Sequence, residues 1–342
     1  MKTTQIIISI ILSMVLVSCS SEYYKITTQI DRNGSGWRAI QTTTANVDSI
    51  AGLFPYDITH GWEILQTDTM VESYNSLENR KNITAGKKFK SLPDLEADLR
   101  SDVIFPVAKE SLKKRFRWFF TYFDFTAVYP VLPDKGCVPL DEYLNKSEQR
   151  FLFQGDQSAY RGMNGIELKE ELDDIESRFR KWYNRSVYEE NFDVILSCTA
   201  SDFRPKQLAA KDTLYSILEK QNREETNVKD VCLALDEYFA TDYFSRLHDE
   251  YGTEMNHKLD KQMELVNRLF IYEIQYELNM PGKIMTANTD LQDGGTLQWN
   301  INLYRFLADD YTLTAQSRTI NRWAFAVTLL LILFSVYCFM KK

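Results

Sequence analysis

The sequence predicts an α+β fold: an antiparallel sheet from residues 23–130 and 269–319 with a helical insertion, plus one C-terminal transmembrane helix. Three observations predict it. Apolar and polar residues alternate in the two flanking regions, which is the period of a half-buried strand. Between them, apolar residues recur every three or four positions, the period of an amphipathic helix. Near the C-terminus, 18 residues from Trp323 to Met340 pass without a charge. Strands on both sides of a block of helices read as segregated α+β layers.

Composition bounds the function classes. Of 342 residues, 44% are hydrophobic and 26% charged, so the chain can bury a core. The net charge of −8 opposes the basic balance of nucleic-acid binding, and no nucleic-acid partner is expected. Only 3 histidines occur, which leaves little material for a metal site or a general base. His248 and His257 lie on opposite sides of any helix that carries both. No metal and no cofactor are expected.

The elements follow in order. Tyr24, Ile26, Thr28 and Ile30 alternate with Lys25, Thr27 and Gln29. Arg32-Asn33-Gly34-Ser35-Gly36 supplies a turn, and Trp37 to Thr44 resumes as a second strand of a hairpin. Gly61 to Thr67 predicts a third strand, and Pro93 opens a short helix that runs to Leu99. Between 112 and 129 the pattern predicts one long strand with a basic beginning and an aromatic face: Phe116, Trp118, Phe120 and Tyr122. That stretch is either a core strand or the wall of an apolar groove for acyl chains. The cluster Lys113, Lys114, Arg115 and Arg117 either meets lipid head groups or keeps the strand soluble.

Residues 137–268 change character. Leu168, Leu172, Ile175, Phe179 and Trp182 form an apolar stripe that follows Asn164 as N-cap. A second helix is expected over 206–221, and one or two more over 227–269 with a break near Gly252. Strand alternation then returns in Tyr272, Ile274, Tyr276 and Leu278. Pro281-Gly282 and Asp293-Gly294-Gly295 make turns around the strand Leu297 to Leu303, and Tyr311 to Thr319 is the last strand. Both β regions are expected to share one sheet.

The ends suggest where the protein sits. Lys2 precedes an apolar run from Ile6 to Val17, the form of a secretory signal. Leu16-Val17-Ser18-Cys19 resembles the lipobox of bacterial lipoproteins. That resemblance implies cleavage after residue 18 and a diacylglycerol on the Cys19 thiol; the competing reading is an ordinary signal peptide with an incidental cysteine. The segment 322–340 has the length and composition of a membrane span, with Arg322 and Trp323 at one interface and Tyr337, Lys341 and Lys342 at the other. A lipidated Cys19 on the outer face then places the domain outside the bacterial cytoplasmic (inner) membrane and the C-terminus in the cytoplasm. The expected organisation is a signal over 1–18, a β-rich part over 19–136, the insertion over 137–268, a second β-rich part over 269–320 and the span over 322–340.

Cys19 and Cys338 belong to the anchors, which leaves Cys137, Cys198 and Cys232. At most one disulfide forms among three; Cys198–Cys232 is the expected pair, with three buried thiols as the alternative. Ser49, Thr69 and Thr213 each stand in an Asp-Ser/Thr-apolar triplet that resembles a bacterial O-glycosylation sequon, a pattern that also recurs by chance.

The order of parts resembles the LppM-type family of bacterial lipoproteins. The residues that carry it are the lipobox, Asp31-Arg-Asn-Gly-Ser-Gly36, Met280-Pro-Gly-Lys-Ile284, Asp293-Gly-Gly-Thr-Leu-Gln-Trp299, Ala315 and Ser317, and the terminal span. The resemblance covers residues 16–44 and about 270–340, not 137–268, and Ala287-Asn288 departs from the family's usual pattern. It implies an envelope domain that binds a lipid or glycolipid, and it brings no catalytic residues. The groove would be lined by Phe116, Trp118, Phe120, Tyr122, Tyr272, Ile274 and Tyr276. A non-enzymatic protein with membrane lipid as partner is therefore expected. The alternative is a scaffold that contacts another envelope protein through its helical insertion. A hydrolase built on acid pairs such as Asp173-Asp174 or Asp309-Asp310 is the third option, but nothing in the sequence fixes their separation.

Overall fold

The structure, a computed structural model, describes residues 23–44, 56–58, 60–73, 76–99, 107–132, 138–223, 226–262, 273–289 and 291–341. Cys19, Ser49, Cys137 and Tyr272 lie outside the described residues. The fold is α+β, and the chain divides into two compact units. One comprises Met1–Pro130, Leu269–Phe306 and Asp310–Lys342; the other comprises Val131–Arg268 with Leu307–Asp309.

The β-rich unit begins with the expected hairpin of β1 (Tyr23–Ile30) and β2 (Gly36–Thr44), in register from Tyr24 opposite Thr42 to Ile30 opposite Gly36. β3 (Glu63–Ser73) pairs with β4 (Ser76–Phe89), a long strand that the sequence pattern does not announce. Its Asn, Lys and Gly residues hide the alternation, yet Ile83, Ala85 and Phe89 are buried in turn. The short helix α1 (Pro93–Glu96) starts at Pro93 as expected. β7 (Glu273–Asn279), β9 (Gln292–Asp293) and β10 (Thr296–Asn302) complete a seven-stranded sheet in the order β3-β4-β2-β1-β7-β10-β9.

Three expectations are corrected in this unit. There are two sheets, not one: β5 (Lys109–Phe116), β6 (Phe120–Tyr129), β8 (Lys283–Ala287) and β11 (Tyr311–Ile320) form a second, in the order β5-β6-β11-β8. Each sheet does take strands from both flanking regions. The chain changes sheets at Pro281-Gly282, where Gly282 adopts φ +87° and a Cβ would lie 2.2 Å from the Arg318 carbonyl oxygen. Only glycine fits there. The first sheet is also not wholly antiparallel, because β1 and β7 run parallel, Tyr24 beside Ile274 and Ile26 beside Tyr276. Parallel neighbours need a long crossover, which the intervening chain supplies.

The third correction concerns 112–129, which is a hairpin and not one strand. Arg117 and Phe120 exchange backbone hydrogen bonds of 2.7 and 3.1 Å around the two-residue loop Trp118-Phe119. Such a turn reverses the parity of the pattern. Leu112 pairs with Phe125 and Phe116 with Thr121, so the inner face passes from even numbers on β5 to odd numbers on β6. Phe123, Phe125, Ala127 and Tyr129 are buried, while Phe120 and Tyr122 sit half-buried on the other face.

The helical unit carries the short helix α2 (Lys146–Gln149) and is then built as its periodicity implies. Asn164 caps α3 (Gly165–Cys198) with its side chain on the Ile166 and Glu167 amides, and Glu167 returns a bond to the Asn164 amide. That reciprocal pair satisfies two otherwise orphaned donors. Ile175 and Trp182 of the stripe are buried, and the Trp182 indole donates to the Val138 carbonyl at 2.9 Å. α4 (Arg204–Lys220), α5 (Val228–Phe239) and α6 (Tyr243–Gln262) follow. Tyr188, Phe192, Ile195, Leu214, Val231, Leu235 and Phe244 are among the side chains of their shared apolar core.

The break in the last helical stretch falls at Ala240–Asp242 and not near Gly252. Ala240 takes a left-handed conformation at φ 50°, and the Asp236 carboxylate accepts from the Phe244 and Ser245 amides to start α6. Gly252 lies inside α6, where the His248 ring packs so closely that an added Cβ would stand 3.1 Å from it. The expected Cys198–Cys232 disulfide is absent; both thiols are free. Cys232 is sealed in the helical core, where burial pushes its thiol up to about 12. The Cys198 sulfur instead faces Lys258 Nζ at 3.8 Å.

The chain ends in α7 (Arg322–Met340), 19 residues and long and apolar enough to cross a membrane. Of its residues only Ala324 is buried, so it is not a core helix.

Candidate membrane-interface site

The loop of the β5–β6 hairpin and the start of α7 form one joint. β11 ends beside β6, Ile320 opposite Phe120, and this register delivers Asn321 to the loop. The Asn321 amide donates to the Phe119 carbonyl at 2.9 Å. Its side-chain nitrogen donates to the Arg117 carbonyl at 2.9 Å and the Trp118 carbonyl at 3.2 Å. Its side-chain oxygen accepts from the Thr121 hydroxyl at 3.0 Å. A single residue, through its amide and its side chain, thus reaches all three carbonyls of a tight turn, and those of Trp118 and Phe119 would otherwise need water.

Aromatic rings close over this joint. Phe116 stacks with Trp323 at 6.2 Å, and Trp118 meets Trp323 edge-on at 5.3 Å. Phe119 packs on Phe325 at 4.7 Å, and the Trp118 indole donates to the Thr328 hydroxyl at 2.8 Å. Phe116, Trp118 and Trp323 nonetheless remain about half exposed, at 58, 44 and 52%. Exposed aromatics clustered at one place mark a contact surface.

Basic side chains surround the rings. Arg115 pairs with Asp124 at 2.9 Å and lies over Tyr122; this hydrogen-bonded pair holds the Asp124 carboxyl below its usual range. The Arg318 guanidinium covers the Phe120 ring at 4.7 Å, and Lys114 donates to the Arg32 carbonyl at 3.0 Å. Lys113, Arg117 and Arg322 have no ion-pair or hydrogen-bond partner for their charged ends among the described residues.

The residues expected to line a groove are not brought together. Phe116 and Trp118 stand at the joint, Phe120 and Tyr122 on the outer face of β6, and Ile274 and Tyr276 are wholly buried in the seven-stranded sheet. Thr69 lies half-buried on β3 and Thr213 is exposed on α4. Among the described residues no three His, Cys, Asp or Glu side chains converge to hold a metal ion.

Sequence reasoning missed one cluster entirely. Arg38 on β2 is buried, with 1% of its side chain exposed, and forms an ion pair with Glu110 on β5. Tyr276 donates to Glu110 at 2.8 Å and accepts from Thr28 at 3.0 Å, while Arg38 donates to the Tyr56 hydroxyl at 3.2 Å. Burial opposes the Arg38 charge, but Glu110 and the tyrosine oxygens more than offset it and hold its proton more firmly. Burial pushes Tyr56 up to about 12 and drives Tyr129 and Tyr276 well above their ordinary value, so all three stay neutral. The cluster ties one sheet to the other. Only 1% of the Arg38 side chain and 8% of the Glu110 side chain are exposed. The only sequence signal was an arginine at an inward position of a strand.

No family model, curated protein or solved structure matches this chain.

Proposed function

We propose that this chain is a non-enzymatic lipoprotein tethered at both ends to the cytoplasmic membrane, its folded units outside the cell's cytoplasm, and that its β-rich unit binds membrane lipid. The observation that carries this reading is the joint itself. A helix with membrane-spanning length leaves a strand directly at a ring of half-exposed aromatics and unpartnered cations. The lipobox resemblance at Cys19 supplies the second tether and the orientation, and the partial resemblance to LppM-type lipoproteins agrees with lipid as the partner. Lys341 and Lys342 beyond α7 fit a cytoplasmic end under the positive-inside bias.

The test is labelling with palmitate in cells. Wild-type protein is expected to take up label and Cys19→Ala to lose it. In spheroplasts, added protease is expected to reach the 137–268 region; protection of that region sinks the orientation. A second reading, a module that contacts another envelope protein through its helical unit, draws on exposed apolar side chains there. Ile166 and Leu208 are 73 and 55% exposed. In-cell crosslinking that captures the same partner with and without residues 137–268 removes that reading.

A further inference from the structure

We propose that the joint between the β5–β6 loop and α7 is a binding site for an anionic phospholipid, with the loop Trp118-Phe119 immersed in the outer leaflet as a wedge. This deepens the proposed function and rests on α7 crossing the membrane.

Length places the loop. The 19 residues of α7 measure about 28 Å at about 1.5 Å per residue, against a hydrocarbon core of about 30 Å. The helix has no length to spare, so the bilayer boundary must fall near Arg322 and Trp323. Thr328 lies six residues further on, about 9 Å deeper along the axis. The Trp118 indole bonds to that hydroxyl, so the hairpin tip reaches below the boundary beside the helix. A β-turn in lipid is costly unless its backbone groups are satisfied within the protein. The three carbonyls of Arg117, Trp118 and Phe119 are satisfied, each by Asn321. Thr328 itself donates back to the Ala324 carbonyl at 2.7 Å, leaving its oxygen free to accept from the indole. The loop carbonyls and the indole at this depth are therefore paired, and the rings of Phe116, Trp118 and Trp323 keep about half of their surface open to acyl chains.

Charge selects the head group. Residues 111–124, 280–287 and 315–323 together hold seven Lys or Arg and a single acid, in a chain whose net charge is −8. That acid, Asp124, is already occupied by Arg115 and by Gln316 at 2.6 Å. Arg117 and Arg322, beside the loop and at the start of α7, have no ion pair or hydrogen bond for their charged ends among the described residues, and Lys113 shares Asp124 with Arg115 only at long range. Their long stems can lie along the rings while the charged ends reach the interface. A zwitterionic head group would present its own cation to this ring. An anionic one, such as phosphatidylglycerol, presents only the complement.

The experiment uses the full-length chain in nanodiscs of equal phosphatidylglycerol and phosphatidylcholine, released into the gas phase for native mass spectrometry. Wild type is expected to retain phosphatidylglycerol preferentially, and each of Lys113→Gln, Arg117→Gln and Arg322→Gln to lower the preference about fivefold, the effect of one interfacial cation. Raised salt on the unmodified protein is expected to weaken the preference too, since the attraction is screened. Equal retention of both lipids by wild type overturns the head-group site. Depth is read with brominated acyl chains in Trp323→Phe protein: they are expected to quench a component of emission that Trp118→Phe removes, and no such component overturns the wedge. Extraction of the protein by alkaline carbonate would instead defeat the membrane-spanning reading beneath it. Retention in carbonate-washed membranes without lipid preference defeats the site alone.

Discussion

The interiors of the two units solve the same problem in different ways. The helical unit buries an apolar core around Phe192, Ile195, Val231 and Phe244 and links its buried Glu189 to solvent through a network, in which Arg185 and Lys211 also pair with the exposed Asp212 and Asp193. The β-rich unit places a charged pair, Arg38 and Glu110, between its sheets, and closes it with the hydroxyls of Tyr56, Tyr276 and Thr28. The difference teaches where each unit is vulnerable. A charge in such a network keeps other partners when one is lost. A charge in a single desolvated pair does not, because the surviving member has no water to turn to.

The largest expected effect follows from that contrast. Arg38→Met leaves Glu110 buried and uncompensated and is expected to destabilise the β-rich unit by about 3–5 kcal/mol. Hydrogen exchange on the full chain in detergent should show protection lost in β2 and β5 while α3 to α6 keep theirs. Adding Glu110→Leu is expected to restore most of the loss, because an apolar pair replaces a charged one. No recovery in the double variant would break the comparison.

A smaller effect is expected in the helical unit, at an ion pair whose arginine is about one-third exposed. Glu148 accepts from Arg178 Nη1 and Nη2 at 2.9 and 3.0 Å, and these bonds hold its carboxyl below the usual range. A group whose folded value is depressed stabilises the fold above its unfolded value and loses that contribution as pH falls through the folded one. Wild-type helical stability should therefore decline on acidification below the ordinary glutamate value of about 4.3. Glu148→Gln is expected to cost about 1.5 kcal/mol at neutral pH and to flatten that decline, as read by thermal unfolding across pH. A variant with the same pH slope as wild type shifts the assignment to other carboxylates.

The smallest effect sharpens the comparison at a helix end. Asn164→Ala removes the side-chain half of the capping box, the bonds accepted from the Ile166 and Glu167 amides, and is expected to cost about 1 kcal/mol. The loss should be confined to faster amide exchange in the first turn of α3.

Local patterns were legible where one rule acted alone. The β1–β2 hairpin, the Pro93 helix start, the Asn164 cap and the apolar α7 each depend on neighbours a few residues apart. The misreadings came where two rules overlapped. Alternation ran unbroken through Arg117 to Phe120, since a two-residue loop of large aromatics carries none of the Gly, Asn or Asp that usually announce a turn. Gly252 looked like a breaker but only makes room for His248. The candidate site was half legible: its aromatics and cations were singled out, while their meeting with Trp323, Asn321 and Thr328, some two hundred residues away, was not.

The sequence by itself determined the class, α+β with an apolar terminal helix, because hydrophobic periodicity is a property of nearest neighbours along the chain. Only the tertiary structure decided that the strands divide into two sheets, that Arg38 finds Glu110, and that an aromatic hairpin abuts the start of α7. Those outcomes depend on which distant segments share a desolvated space, and no local spacing encodes that.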